Sequence, residues 1–210
     1  MATHRSVDLS LLSHFSPPGV FTLIQRDVWE SLEPLPEVRE RVDSIVSFCH
    51  LLRSDFHDKN DPSPDELVAR RKYLRAALAE FSSMEDAALV DFPRVSRNTP
   101  PLMHSHSDPR IHIARLLRHA NIHLSATSLS HAHRDAIWNG PDGPQNFTFL
   151  VILGEQIDAS VLATRESKKY ERAVLGEMLH WLDEEQREWG LGHVVLRTAE
   201  LYGKYLAAAV

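Results

Sequence analysis

Residues 36–56 read PEVRERVDSIVSFCHLLRSDF, with Val38, Val42, Ile45, Cys49, Leu52 and Phe56 spaced 4, 3, 4, 3 and 4 apart. That spacing draws one apolar stripe along a helix of about 20 residues opened by Pro36. The stretch from Asp58 to Pro64 breaks it. Ser63-Pro64-Asp65-Glu66 then has the form of a capping box with proline in the first helical position. Leu67, Arg71, Leu74, Leu78 and Phe81 extend this second helix, with Arg71 as the polar interruption, and a shorter helical piece is expected after Ser83. Prolines 93, 100 and 101 dictate a loop across 91–107, and Ser107-Asp108-Pro109 caps a third helix reaching about Ser125.

Beyond it the period changes. Residues 129–138 and 147–153 alternate like strands around the turn-rich NGPDGPQN, which predicts a β-hairpin at about 128–153. A helical pattern resumes over about 158–189, with Leu175, Leu179, Leu182, Gln186 and Trp189 at one spacing. Gly190 and Gly192 end it, and a closing helix over about 193–207 uses Val194, Thr198, Leu201 and Tyr205 on one face. The expected fold is mainly α, a helical bundle of four to five helices with an inserted β-hairpin. Residues 36–210 form the helical domain, and residues 1–35 form a segment whose structure the pattern leaves undefined.

With 210 residues, 43% of them hydrophobic and 25% charged, the chain can bury one ordinary core. Disordered, collagenous and disulfide-scaffold classes are thereby excluded. No apolar run approaches the roughly 18 residues of a membrane-spanning helix. The opening MATHRSVDLSLLSHFSPP lacks a signal-peptide pattern, so a soluble cytoplasmic protein is expected. Cys49 is the single cysteine and falls on the first apolar stripe, the place of a buried inert thiol. The acidic trio Glu184, Glu185 and Glu188 reads as a solvated helix end.

The net charge of −6 argues against bulk attraction to nucleic acid, but the charge is unevenly spread. Arginines 94, 97, 110, 115, 118 and 134 face one acid, Asp108, so this window carries +5 and the remainder −11. Seven of the 13 histidines fall there too. Its centre is the third helix, DPRIHIARLLRHANIHLSA. On a 100° wheel, Ile113, Leu116, Leu117, Ala120 and Leu124 form the core side. Another arc holds Ile111, His112, Arg115, Arg118, His119, Ile122 and His123. With no acid after Asp108, that arc suits a second interface toward an anion or another copy of the chain.

Within it, Arg118-His119-Ala120-Asn121-Ile122-His123 resembles the R-x(4–6)-H mark of the HEPN ribonuclease family, which sits on a helix and often has a polar residue after the arginine. Two other Arg/His pairs share the spacing, but Arg97/His104 crosses prolines and Arg187/His193 crosses a glycine break. The resemblance implies a homodimeric, metal-independent endoribonuclease in which two such helices pool their motifs, and the arc residues Ile111 and Ile122 suit that apposition. It implies Arg118 and His123 as catalytic residues, and a setting in toxin–antitoxin or anti-phage defence with a neutralising partner protein. RNA supplies its own 2′-hydroxyl nucleophile. Imidazole can move the protons, and guanidinium can stabilise the charged phosphorus centre. Five residues separate Arg118 from His123, about 7.5 Å along the axis and about 140° around it, so they can flank a phosphate. Arg115 and His119 are expected as further substrate contacts.

No cofactor is expected, because no phosphate-cradling glycine loop or nucleophile elbow is present. The rival chemistry is metal: His104/His106, His131/His133 and His119/His123 are paired, yet no carboxylate joins the helical pair as a zinc-binding helix would supply. A non-catalytic module that binds RNA or protein is the other alternative.

Overall fold

A computed structural model describes residues 4–15, 24–52, 63–120, 129–136 and 145–210. In chain order these form α1 (Arg26–Ser31), α2 (Pro36–Leu51), α3 (Pro64–Val95), α4 (Pro109–Ala120), β1 (Leu129–Ala136), β2 (Gln145–Ile152), α5 (Gly154–Leu162) and α6 (Arg172–Ala208). Short 3-10 turns lie at Leu9–Leu11, Met103–Ser105 and Ser167–Lys169. The fold is mainly helical with one antiparallel hairpin, as the periodicity predicts; Leu129 pairs with Ile152 and Ala136 with Gln145.

Local chemistry starts the long helices. The Ser63 hydroxyl accepts from the Glu66 N–H at 3.3 Å while the Glu66 carboxylate accepts from the Ser63 N–H at 2.6 Å, completing the capping box. α2 has no side-chain cap of its own. Instead Asp91, from the far end of α3, accepts from the Val38 N–H at 3.0 Å, which ties the two helices together and places a carboxylate at the positive end of α2.

α2 and α3 pack along one another, and α6 runs through the centre, touching α1 to α5 and both strands. Its second half supplies Val194, Val195, Leu196, Ala199, Tyr202 and Leu206, all fully buried. Each such large apolar side chain contributes about 2 kcal/mol. Val28, Leu32 and Leu35, which precede α2, enter the same core. Cys49 is buried there and its thiol is pushed up to about 12 by desolvation, so it is inert.

Several expected boundaries move. α3 does not break near Ser83 but continues to Val95. The hydroxyls of Ser82 and Ser83 donate to the Leu78 and Ala79 carbonyls, and Pro93 falls in the last turn, so its missing N–H costs one i→i−4 bond near the helix end. The pattern read as one helix over 158–189 is two, because residues 163–171 form a turn between α5 and α6. There the Thr164 hydroxyl donates to the Val161 carbonyl and accepts from the Ser167 N–H, giving the backbone non-helical partners. Gly192 is helical, and only Gly190 leaves the helix, at φ +79° and ψ 164°. A Cβ there would lie 2.5 Å from the Phe149 Cβ, so the kink is also where β2 presses against α6. Beside it, Gln186 accepts from the Ile152 N–H at 2.9 Å and donates to the Ile152 carbonyl at 2.8 Å, pinning the end of the hairpin. Phe56, and the part of the third helix expected beyond Ala120, lie outside the described residues.

Candidate functional site

The Asp108 carboxylate opens α4, accepting from the Arg110 N–H at 3.0 Å and gripping the Arg110 guanidinium through two oxygens. As expected, Ile113, Leu116, Leu117 and Ala120 face the core. The opposite arc divides. Ile111 and His112 are fully buried within the chain, so the apposition expected of Ile111 across a dimer is corrected: its side chain has no surface to offer. The wheel groups residues by direction but is blind to what covers them. His112 is covered by Tyr170, whose hydroxyl lies 2.7 Å from Nδ1, while Nε2 donates to the His106 carbonyl at 2.6 Å. Burial first, and then the nearby Arg5 and Arg115 cations, push this imidazole down to about 4 against the pull of the His106 carbonyl.

Along the helix the arc opens. Arg115 is mostly covered and divides its guanidinium between Glu85 and Glu166, each at 3.8 Å. Glu166 is a hub: it accepts from Lys169 at 2.7 Å and from Arg5, which also donates to the Tyr170 hydroxyl at 3.1 Å. Burial would raise the Glu166 carboxyl, but the Lys169 and Arg5 hydrogen bonds outweigh it and hold it below the usual carboxylate range. Arg118, in the last turn, is exposed and makes no ion pair with a described carboxylate. His119 beside it is half-buried; desolvation lowers its pKa, Glu166 opposes, and Arg118, Arg115 and Lys169 lower it further. At neutral pH that ring is uncharged and can accept a proton. His123 lies outside the described residues, as does Ile122.

The local surface therefore has Arg118 and His119 outermost, with Arg5, Arg115 and Lys169 crowding one buried carboxylate beneath. Arg5, Glu166, Lys169 and Tyr170 were not legible as partners of α4. The one available signal was RESKKYER at 165–172, a cation-rich run hidden inside an apparently continuous helical pattern.

Among the described residues the +5 window is not one patch. Arg110 is bound by Asp108, Arg94 lies 3.8 Å from Asp91, and Arg115 is shared between two glutamates. Nor do its described histidines gather into one cluster. His106 accepts from the Asp108 N–H and packs on Tyr205, and His104 is exposed. The side chains of His131 and His133, like His123, are outside the described set. Among the described residues no three His, Cys, Asp or Glu side chains are grouped to hold a metal ion.

A hollow of about 620 Å³ lies elsewhere, between the 14–15 turn and α6, lined by His14, Phe15, Glu184, Glu185, Arg187, Glu188 and Trp189. Three carboxylates make it unsuited to phosphate. Glu185 is not the solvated residue expected from sequence. It is fully buried, with its carboxyl raised by desolvation against the pull of His14 at 2.7 Å. No described helix is long and apolar enough to cross a membrane. No known protein-family model, curated protein or solved structure matches the chain.

Proposed function

We propose that the chain is a HEPN-like, metal-independent endoribonuclease that acts as a homodimer. The observation that carries this reading is the last turn of α4, where an exposed Arg118 stands beside a His119 whose pKa is lowered. Arg118 belongs to the R-x4-H motif, and its guanidinium is free of described carboxylates while those nearby are occupied. In this reading Arg118 binds the scissile phosphate and stabilises charge on its equatorial oxygens. His123 transfers the proton between the 2′-hydroxyl or the 5′-leaving oxygen and solvent. The 2′-oxygen attacks phosphorus, the P–O5′ bond breaks, and the products are a 2′,3′-cyclic phosphate and a free 5′-hydroxyl.

His119 offers the substrate a neutral acceptor. Arg115 keeps Glu166 neutralised, so the turn retains its positive potential. With Ile111 and His112 sealed inside the monomer, the twofold contact would use the end of α4 and the residues after Ala120.

Full-length protein incubated with RNA in EDTA is expected to cut it, with cyclic-phosphate ends. Arg118→Ala and His123→Ala should each lower the rate by about 100-fold or more. Sedimentation should give twice the 23.9 kDa chain mass. Equal cutting by wild type and both variants, or cutting abolished by EDTA, refutes the mechanism. Binding without cutting by any form leaves a non-catalytic RNA-binding module.

A further inference from the structure

We infer that the connector between α5 and α6, residues 163–171, together with Arg172, is a phosphate-tracking surface that carries the RNA strand away from the Arg118 turn. This rests on the ribonuclease reading. The connector sorts its side chains cleanly. Thr164, Glu166, Ser167 and Tyr170 are buried, whereas Arg165, Lys168, Lys169 and Arg172 are exposed, with Glu171 the one outward acid among them. Its one inward acid, Glu166, is occupied by Arg5, Lys169 and Arg115, which leaves Arg165, Lys168 and Arg172 against the single outward carboxylate of Glu171.

The shape is fixed in advance. The Ser167 hydroxyl donates to the Thr164 carbonyl at 2.8 Å, the Tyr170 N–H donates to the Ser167 carbonyl at 3.1 Å, and the Arg5 N–H donates to the Lys169 carbonyl at 2.7 Å. A strand binding there meets a preordered backbone and orders only side-chain tips.

Stability accounts for Lys169, which is paired with Glu166, but not for Lys168 and Arg172. Lys168 and Arg172 sit at the N-terminal end of α6, where the N-cap residue Glu171 makes no side-chain capping bond and the first turn holds no acid. Cations at that end oppose the helix dipole and one another, so the arrangement costs stability while adding to the positive field that an anion would feel. Continuity with the candidate site is direct. Lys169 shares Glu166 with Arg115, and His119 senses both Lys169 and Glu166. The connector's one aromatic ring, Tyr170, is turned inward onto His112, which leaves no stacking platform. The ligand chemistry is therefore a phosphodiester backbone, contacted without regard to base.

The test uses full-length protein and a fluorescein-labelled 2′-O-methyl oligouridine of about 20 nucleotides, which lacks the nucleophile and cannot be cut. Anisotropy titrations from about 50 to about 300 mM NaCl give log Kd against log salt. Arg165→Gln/Lys168→Gln/Arg172→Gln should weaken binding by about tenfold or more and flatten the slope by about 2, from about 0.7 per lost phosphate contact. Its Tm should stay close to that of wild type, because the three side chains are exposed and the charge of Arg172 opposes the α6 dipole. An unchanged slope and Kd overturn the proposal, as does wild-type protein that binds phosphatidylserine vesicles but not the oligonucleotide. Connector-dependent binding by a protein that never cuts unmodified RNA keeps this surface and sinks the ribonuclease reading alone.

Discussion

Gly190→Ala should be among the most damaging single-methyl insertions in this fold. At φ +79° and ψ 164° the residue occupies a region that is essentially reserved for glycine, and a side chain there stores about 1–3 kcal/mol of backbone strain. The new Cβ would also stand 2.5 Å from the Phe149 Cβ and 3.1 Å from its Cγ, which forces the hairpin off α6 for a further ~1–3 kcal/mol. About 4 kcal/mol in a chain of this size lowers Tm by roughly 8–16 °C. The assay is thermal unfolding followed by far-ultraviolet circular dichroism, with Gly176→Ala as the control. Nothing lies within 4 Å of a Cβ at Gly176 on α6, so that change should stabilise by about 0.5–1 kcal/mol through helix propensity. Adding Phe149→Gly removes the Cβ that the new methyl meets, and so relieves the clash but not the backbone strain. The double variant should therefore fall short of the summed single losses by about 1–3 kcal/mol. A Gly190→Ala drop below about 3 °C, or strict additivity with Phe149→Gly, would refute the geometry on which this rests.

Gln186→Leu removes both hydrogen bonds to Ile152 and should cost about 3 kcal/mol, because a buried N–H and carbonyl lose their partner; urea titration should show a lower midpoint at unchanged slope. Ser63→Ala breaks the capping box at an exposed helix start and should cost about 1 kcal/mol in the same assay. His112 and His193 are pushed down to about 4 and about 3 by burial, so the folded chain holds both rings neutral where the unfolded chain protonates them. Their contribution is full above about pH 6.5 and is lost as pH falls toward about 4, at about 1.4 kcal/mol per pH unit for each ring. Neither nitrogen of His193 has a hydrogen-bond partner among the described residues, so His193→Phe should spare stability at pH 7 and remove one ring's share of the acid sensitivity. Urea titrations at three pH values check it, and an unaltered pH dependence contradicts it.

The helices legible in the sequence are those whose cause is local. The 4-3-4-3-4 stripe of α2, the Ser63 box and the Gly190 break each lie within a few residues of the feature they determine. What failed was local chemistry that counters propensity. Ser82 and Ser83 look like a stop but satisfy themselves on carbonyls four residues back, whereas Thr164 and Ser167 stop a helix whose apolar period suggests none. The same residue types thus act in opposite senses, depending on whether the hydroxyl bonds to a carbonyl inside a continuing helix or also draws in a later N–H.

The candidate site was half legible for a different reason. Helical spacing puts Ile111, His112, Arg115, Arg118 and His119 on one arc, but whether each is available is decided by groups far away in the chain. Tyr170 closes over His112, and Glu85 and Glu166 occupy Arg115, from 58, 30 and 51 positions away. Arg118 escapes this because the helix has carried it beyond the reach of those carboxylates. A partly desolvated guanidinium already shared between two carboxylates gains little from a phosphate, since it must give up one partner to take the other. An exposed one gives up only water. The arginine best placed to take up an anion is therefore the one the fold has left without a described acid, and in α4 that is the arginine of the R-x4-H motif.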